Sequence, residues 1–594
     1  MHEYEEKKLV STIAIYLLFG ALFLKLFQMQ VLDREEFQKH SFQNRIRQIR
    51  ILPPRGQMVD RNGKVIVENQ ASYALYVVPF EARKDSVVEK LTSILQDSTG
   101  VIEKRLKQGG NSFTALKVRD DLSMAQVTEI EEMKLKLPGV SVRVEPKRYY
   151  PSSASLAHVL GYLSEASKTD IEEYKSQVKS GDWVGKRGIE KKYQSELLGT
   201  NGYNFVEVNS LGREIADGAY PGESRPRAGK QLDLTIDLGL QCLAESLFVD
   251  KQGGVIMLDC RNGDVLVMCS KPDYDPNMFA KRITPQVWDE LVNDPRKPLY
   301  DRMVQGEFPP GSTFKLVTLT AALETGKAKP TDRYTCTGSF RFGRRVFHCW
   351  NHSGHGSLDM LGAIMHSCNV YMYNTSLKLE VDEWAEYADR FGFGQPTGID
   401  LPGERKGNLP NKAYLDKVYG EKGWTRAMML NLGIGQGDLL VTPLQMARFA
   451  MILANRGTYY TPHLVQKIVD PDTKEFSIFT AASGKVEGIS DATWDVLRQG
   501  MYNVVNAPGG TGRASSVAGQ NVAGKTGTAQ NPHGDSHAWF IGFAPYDHPR
   551  VAFCVLVENG GSGSGNAAPI AGKLLRKYFS ENVQVAALST ANGE

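Results

Sequence analysis

The pair Ser312 and Lys315 has the residue types and the spacing of an activated nucleophile. The chain breaker Pro309-Pro310-Gly311 directly precedes the serine, and good helix formers follow at 316–323, so we predict that Ser312 opens a helix. The lysine then lies one turn further along the same face, where its neutral amine could take the hydroxyl proton. Such a serine could attack a carbonyl group and form an acyl-enzyme.

The Ser-x-x-Lys spacing is weak evidence when it stands alone, because a helix-capping serine is its commoner meaning. Ser176 and Lys179 repeat the spacing inside a charged segment that has no chain breaker before it. We interpret that second pair as a solvated helix face. Ser312 therefore needs support from other residues.

The triplet Ser367-Cys368-Asn369 follows an apolar stretch at 358–365 and places a hydroxyl and an amide at a predicted helix end or connection. The hydroxyl could relay a proton to a leaving amine, and the amide could hold Lys315 and a substrate carbonyl. An ordinary capping turn is the alternative interpretation of this triplet.

The segment Lys525-Thr526-Gly527-Thr528 is predicted to end a strand that begins at Asn521. An unpaired strand edge can pair with an extended peptide, and the cation and two hydroxyls could receive the terminal carboxylate of that peptide. The alternative is a plain edge strand whose lysine serves solubility.

Three cysteines and a histidine between the first two motifs form a candidate metal site. Three thiolates and an imidazole suit a closed, four-coordinate Zn²⁺ site, although their spacing is not that of a zinc finger. Buried thiols without metal are the alternative, and His348 and His352 are competing ligands. The predicted ligands are Cys336, Cys349, His355 and Cys368.

The composition fits a globular enzyme with several domains and gives no lead toward nucleic acid. The chain has 594 residues, a formal net charge of +3 and 57 glycines, and its length exceeds that of one ordinary core. The small net charge does not indicate a nucleic-acid partner. Seven cysteines, an odd number, disfavour a disulfide framework.

The apolar run at 9–32 is predicted to be a transmembrane anchor, preceded by a cytoplasmic tail at 1–8. Phe27 to Gln30 stand where a cleaved signal peptide, the alternative, would need small residues. Lys7 and Lys8 precede the run and acidic residues follow it, which places the amino terminus in the cytoplasm. The remainder of the chain is then extracytoplasmic or periplasmic, held at the plasma (inner) membrane by a single pass.

The order of predicted strands and helices indicates a membrane-anchored multidomain α/β protein. We expect a mainly β pedestal at 33–230 with a small inserted α/β head at about 81–147. A larger α/β domain follows at 231–580, where strands, then helices, then strands succeed one another. A flexible tail is predicted at 581–594.

Three motifs in this order, Ser-x-x-Lys, Ser-x-Asn and Lys-Thr-Gly, resemble those of the penicillin-binding proteins and serine β-lactamases. Further landmarks at 270–277, at 433–437 and at Trp539-Phe540 are similar to a transpeptidase domain, and β-lactamases lack most of them. Arg55-Gly56 and 187–190 are similar to the pedestal of class B penicillin-binding proteins. No stretch resembles a glycosyltransferase, so class A does not fit. Within class B, 51–56 and the cysteines resemble the elongation type more than the division type.

The resemblance implies a penicillin-binding transpeptidase domain of serine β-lactamase-like fold on a non-catalytic, dimerisation-type pedestal. It implies that Ser312 is acylated and that Lys315 is its base. The residues implied to pass protons and orient the peptide are Ser367, Asn369 and Lys525, and those implied to bind the substrate are Thr526, Gly527 and Thr528. Some elongation-type members carry zinc at the cysteine cluster, which implies structural Zn²⁺ here; acyl transfer itself would need no cofactor.

The implied activity is that of a peptidoglycan D,D-transpeptidase that cross-links stem peptides and is inhibited by β-lactams. A division-type transpeptidase, a D,D-carboxypeptidase and a non-catalytic penicillin-sensing or scaffold protein remain open as alternatives. Implied partners are the membrane, a glycosyltransferase and shape-determining elongation proteins.

Overall fold

The computed structural model describes residues 2–35, 46–82, 85–96, 100–110, 115–151, 154–208, 214–217, 223–281, 283–532 and 534–591. Its first element is helix α1, His2–Phe27, which continues into a π-helical turn, Gln28–Leu32. The span Tyr4–Leu32 is long and apolar enough to cross a membrane, and none of it is buried within the protein. The predicted anchor at 9–32 thus lies in a helix that fits a single-pass membrane anchor.

Short strands and helices alternate through the first part of the chain. The elements in chain order are β1 Ile46–Ile51, β2 Met58–Val59, β3 Val65–Val77, α2 Asp85–Ile94, α3 Val101–Gly109, β4 Leu116–Arg119, α4 Met124–Glu132, β5 Val140–Tyr149, α5 Ala157–Leu160, β6 Leu163–Glu165, α6 Lys168–Tyr174, β7 Trp183–Gly185, α7 Gly188–Lys192, α8 Gln194–Leu198, β8 Gly202–Val208 and β9 Glu214–Asp217.

In the second part of the chain, the strands of one five-stranded sheet lie near the beginning and near the end, and helices and short strands lie between them. Its elements are β10 Gln231–Leu234, α9 Leu238–Ser246, β11 Gly253–Asp259, β12 Val265–Lys271, α10 Pro285–Asn293, α11 Lys315–Glu324, β13 Tyr334–Cys336, β14 Ser339–Phe342, β15 Arg345–His348, β16 Gly356–Leu358, α12 Met360–Met365, α13 Asn369–Ser376, α14 Val381–Arg390, α15 Lys412–Tyr419, α16 Met428–Leu432, α17 Pro443–Ala454, β17 Thr458–Tyr460, β18 Val465–Val469, β19 Phe476–Ile478, β20 Ser483–Lys485, α18 Asp491–Asn506, β21 Ala523–Ala529, β22 His537–Ala544, β23 Val551–Val557 and α19 Ala568–Ala591.

One compact unit comprises residues 1–54, 71–146 and 199–228. Within it, β3 pairs with β4 and β5, while β1, β8 and β9 form a separate three-stranded sheet. The first of these sheets has its own apolar core, in which Leu75, Leu91 and Ile130 are buried. A capping box between Ser123 and Gln126 fixes the start of α4. The segment predicted as an inserted head is therefore a small α/β structure with its own core.

The other unit comprises residues 55–70, 147–198 and 229–594 and is built on a five-stranded antiparallel sheet. The strand order is β12-β11-β23-β22-β21, so strands from the two ends of this part of the chain meet in the centre. Every residue of β11, β22 and β23 is buried, because helices such as α17 and α19 pack on the sheet. Because both faces of these strands are buried, their sequences are nearly continuous runs of apolar residues.

The last helix, α19, continues to Ala591, and residues 592–594 lie outside the described residues. The flexible tail expected at 581–594 stays a prediction. The first half of the helix, up to Phe579, has apolar side chains that belong to the main core. Helical hydrogen bonding that begins on that packed part continues beyond it.

A buried carboxylate ties together two of the three segments of this unit. Glu190, fully buried, accepts from Arg55 Nε at 2.5 Å and from Arg148 Nε at 2.7 Å. Arg55 also donates to Gln194 Oε1 at 2.7 Å. Burial alone would raise the pKa of Glu190, but the two guanidinium groups outweigh it and lower that pKa. The landmarks at Arg55 and 187–190 thus have a physical meaning, because both belong to this charge network.

Replacement of Glu190 by alanine should lower the free energy of unfolding by about 3–5 kcal/mol, because two buried guanidinium groups would lose their counter-charge. Denaturant unfolding of the full chain in detergent measures this change. Glu386→Ala is the matched control, since its partner Arg390 forms an exposed pair worth at most about 0.5 kcal/mol. Equal effects of the two substitutions would contradict the assigned role of Glu190.

Candidate active site

Ser312 lies in a 3₁₀ turn, Gly311–Phe314, that leads directly into α11. The prediction that this serine opens a helix is therefore confirmed, with a 3₁₀ first turn before α11 begins at Lys315. A tight first turn is common where a helix starts after prolines, which cannot donate a backbone hydrogen bond. The Gly311 N–H bonds the Gly435 carbonyl at 2.8 Å, which fixes the turn in place. Ser312 is half-buried, whereas its neighbours on both sides are buried.

Lys315 reaches the Ser-x-Asn motif through its ammonium group. Its Nζ donates to Asn369 Oδ1 at 2.7 Å and to the Ser367 carbonyl at 2.8 Å, and it lies 3.3 Å from Ser367 Oγ. The side chain is only 1% exposed, and burial lowers the pKa of Lys315 to about 8. Near neutral pH this amine can therefore exist in the uncharged form that accepts a proton.

Lys525 approaches the same hydroxyl from the strand side. Its Nζ donates to Ser367 Oγ at 2.9 Å and to the Thr526 carbonyl at 3.0 Å. The side chain is fully buried, and burial together with the nearby Lys315 lowers its pKa well below the usual value. Ser367, whose φ of +53° is strained for a serine, thus stands between two amines. The three motifs that are far apart in sequence converge on one hydroxyl.

The Lys-Thr-Gly segment lies inside β21 rather than at its end, since the strand begins at Ala523 and continues to Ala529. β21 is the edge strand of the five-stranded sheet. A Cβ on Gly527 would come within 3.0 Å of Thr313 Cγ2 and 3.1 Å of the Pro310 carbonyl oxygen. Glycine therefore lets the strand approach the turn that carries Ser312. Thr526 is buried, and Thr528 is exposed.

Two contributions to the site were not predicted. Thr511 and Thr526 share a hydrogen bond between their hydroxyls at 2.8 Å, and the glycine-rich turn 509–512 just before β21 was the available signal. The His348 carbonyl accepts from Asn369 Nδ2 at 3.3 Å and from the Tyr373 hydroxyl at 3.2 Å. A backbone carbonyl leaves no signature in the sequence.

The predicted metal ligands come together as one cluster. The ligand atoms of Cys336, Cys349, His355 and Cys368 all lie within 4.8 Å of one another, and His355 Nδ1 is 3.6 Å from the Cys336 and Cys349 sulfurs. All three cysteines are buried. The competing histidines, His348 and His352, are not part of the cluster and instead contact each other edge to face.

The cluster lies next to the Ser-x-Asn motif and also forms hydrogen bonds with it. The Cys368 thiol donates to Cys349 and, with the backbone N–H groups of Asn369 and Asn351, lowers the pKa of Cys349. Cys368 also caps α13, the helix that begins at Asn369. The position of Asn369 therefore depends on these sulfurs.

The chain belongs to the penicillin-binding protein transpeptidase family. Residues 253–576 match the penicillin-binding protein transpeptidase domain, and residues 50–234 match the penicillin-binding protein dimerisation domain. The fold and membership expected from the three motifs are thereby confirmed.

Three known proteins are similar to this chain over most of its length. The chain is 34% identical to peptidoglycan D,D-transpeptidase MrdA of Haemophilus influenzae, over 98% of this chain and 92% of that protein. It is similar to the penicillin-binding protein PBP2 of Helicobacter pylori in a complex with MreC, with a TM-score of 0.79 and 29% identity over 90% of this chain and 100% of that one. A chain of a peptidoglycan synthase complex that coordinates polymerization and crosslinking gives a TM-score of 0.72, with 29% identity over 96% and 98% of the two chains.

Proposed function

We propose that this chain is an elongation-type peptidoglycan D,D-transpeptidase that works through an acyl-enzyme on Ser312. The observation that carries the proposal is the shared hydroxyl of Ser367, which joins the amines of Lys315 and Lys525 beside the Ser312 turn. The D,D-transpeptidase activity named for the Haemophilus relative supports the same reaction. The domain limits that go with the proposal are 33–230 for the pedestal and 231–580 for the transpeptidase domain.

In the acylation step, the neutral Lys315 amine takes the Ser312 proton while Ser312 Oγ attacks the penultimate D-alanyl carbonyl. The backbone N–H groups of Ser312 and Thr528 stabilise the resulting oxyanion, an effect worth roughly 3–4 kcal/mol per donor. Ser367 passes the proton from Lys315 to the leaving nitrogen, the peptide bond breaks, and terminal D-alanine departs.

In the second step, an amine of a neighbouring stem peptide attacks the acyl carbonyl and displaces Ser312 Oγ. The amine loses one proton and Ser312 regains one, so the enzyme returns to its initial state. Lys525 and the Thr526 and Thr528 hydroxyls hold the peptide, which adds as a strand to the edge of β21. Lys525, held to Ser367 Oγ at 2.9 Å, keeps the proton path aligned in both steps.

The substitution Ser312→Ala should abolish covalent labelling of the full chain by a fluorescent penicillin, because the β-lactam carbonyl needs the same nucleophile. Ser176→Ala, at the other Ser-x-x-Lys spacing, is the matched control and should keep full labelling. Labelling is read from denaturing gels. A Ser312→Ala chain that still becomes labelled would refute the assignment.

The acylation rate should rise with pH through a midpoint of about 8, the pKa of Lys315. Below that pH the amine is protonated and cannot take the Ser312 proton; above it the amine is free, so the sign is a gain of rate with pH. The neighbouring titratable groups are Lys525, Cys349 and Cys368. Single-turnover labelling from about pH 6 to about pH 9 gives the profile. A rate that falls or stays constant over this range would contradict Lys315 as the base.

We infer that Cys336, Cys349, His355 and Cys368 would hold a structural Zn²⁺. Tetrahedral geometry with Zn–S near 2.3 Å and Zn–N near 2.05 Å requires sulfur and nitrogen to be about 3.6 Å apart. His355 Nδ1 is 3.6 Å from two of the sulfurs, so the donor set fits the ion. The chemistry that Zn²⁺ supplies there is cross-linking of these side chains. Acyl transfer does not pass through the cluster.

Chain purified without chelator should contain roughly one zinc per molecule, and Cys349→Ala should lose it, since a structural site needs all four ligands. Elemental analysis and the thermal-unfolding midpoint are the two measurements. Cys554→Ala, a buried thiol in β23 outside the cluster, is the control and should retain the metal. Equal metal content in both variants would refute the site.

The proposal also covers the orientation of the chain in the membrane and its partner proteins. The positive residues before the apolar helix favour a cytoplasmic amino terminus, which puts Ser312 on the outer side of the membrane. The structures of relatives with MreC and in a peptidoglycan synthase complex support a shape-determining elongation protein and a glycosyltransferase as partners.

A further inference from the structure

A β-hairpin, β14 and β15, stands beside the active site and is not used by the mechanism above. Its register pairs Phe340 with Phe347 and Phe342 with Arg345. A two-stranded hairpin is marginally stable alone, and here both Phe340 and Phe347 pack on Tyr373 with ring centroids 5.7 Å apart. The hairpin is therefore held in a defined position.

The base of this hairpin is joined to the proton-transfer network. Its last residue, His348, accepts hydrogen bonds through its carbonyl from Asn369 Nδ2 and from the Tyr373 hydroxyl. Asn369 and Tyr373 lie four residues apart on α13 and share one face. Asn369 also accepts a hydrogen bond from Lys315 Nζ. The Asn369 side chain therefore links the base of the hairpin to the Lys315 amine.

Three exposed arginines, Arg341, Arg344 and Arg345, surround the tip of the hairpin. Nearby cations do have partners, because Arg333 pairs with Asp359 at 3.8 Å and Lys378 with Asp332 at 3.6 Å. Among the described residues, no acidic side chain forms an ion pair with the three tip arginines. The tip thus carries three positive charges close together, and their guanidinium N–H groups can donate hydrogen bonds to a ligand.

The distances suit a short peptide. Arg345 lies three residues from His348, roughly 10 Å along a strand, and shares the hairpin face of Phe347, which packs on Tyr373. An extended peptide of four or five residues spans at most about 14–18 Å. Such a peptide is therefore longer than the stretch from the hairpin base to Arg345. A peptide that runs from Ser312 past Asn369, to which the hairpin base is bonded, would meet the hairpin with its earlier residues.

We propose that the arginine hairpin, residues 339–348, binds side-chain carboxylates of the donor stem peptide upstream of the bond that Ser312 attacks. A guanidinium group matches a carboxylate with two parallel hydrogen bonds, which gives direction as well as attraction. The proposal rests on the proposed transpeptidase function and adds a determinant of substrate specificity to it. β-Lactams lack this upstream segment, so their reaction does not use the hairpin.

The experiment measures competition between peptides and a fluorescent penicillin for Ser312 of the full chain in detergent. One probe is a pentapeptide that ends in D-Ala-D-Ala and carries glutamate at its second position, and the other has glutamine there. The test variant changes Arg341, Arg344 and Arg345 to glutamine. The control changes Lys251, Lys417 and Lys474 to glutamine, which removes the same charge from exposed positions elsewhere.

The arginine variant should keep the penicillin labelling rate and raise the inhibition constant of the glutamate peptide by up to about fivefold, as expected for one exposed charge pair. The glutamine peptide and the lysine variant should show no change, and added salt should shrink the difference. An equal rise for both peptides, a rise in the lysine variant or no rise at all would overturn the proposal. Arg344→Gln alone, at the turn, gives a smaller selective rise if the triple variant labels poorly. If penicillin did not label the unmodified chain at all, the proposed transpeptidase function itself would be refuted, and not only the role of the hairpin.

Discussion

Two buried amines that share one hydroxyl are the constraint on which the site depends. Lys315 and Lys525 both contact Ser367 Oγ and both are almost fully buried, so their simultaneous protonation would place two like charges in a medium of low dielectric. The protein resolves this by lowering the pKa of each amine. The lowered pKa of the Lys315 amine, three residues from Ser312, is thus a consequence of packing.

The rest of this unit keeps the two amines buried away from water and fixes the distance between them. β21 brings Lys525 to the sheet edge, and the fully buried β22 and β23 hold that edge in register. On the opposite side, α11 carries Lys315 into the core with its apolar neighbours. The contact of Gly527 with Thr313 and Pro310 joins the two sides. A side chain at that glycine would separate the turn of Ser312 from β21.

Site residues could be predicted from the sequence where the chemistry requires particular side chains. Contributions that depend on backbone geometry were harder to predict. Ser312, Lys315, Ser367, Asn369 and Lys525 were selected from the order and spacing of three motifs, and the structure brings these motifs together. The prolines predicted the helix start at Ser312 but could not specify whether its first turn is 3₁₀ or α. The His348 carbonyl and Thr511 were missed, since a carbonyl belongs to every residue and one threonine resembles another.

The Cys/His cluster and the arginine hairpin meet at Asn369. Cys349 accepts from the backbone N–H of Asn369, and His348, the residue before it, accepts from the Asn369 side chain. Two consecutive residues therefore fix both the backbone and the amide of the residue that holds Lys315. Movement of the cluster would therefore shift Asn369, and through it the amine of Lys315.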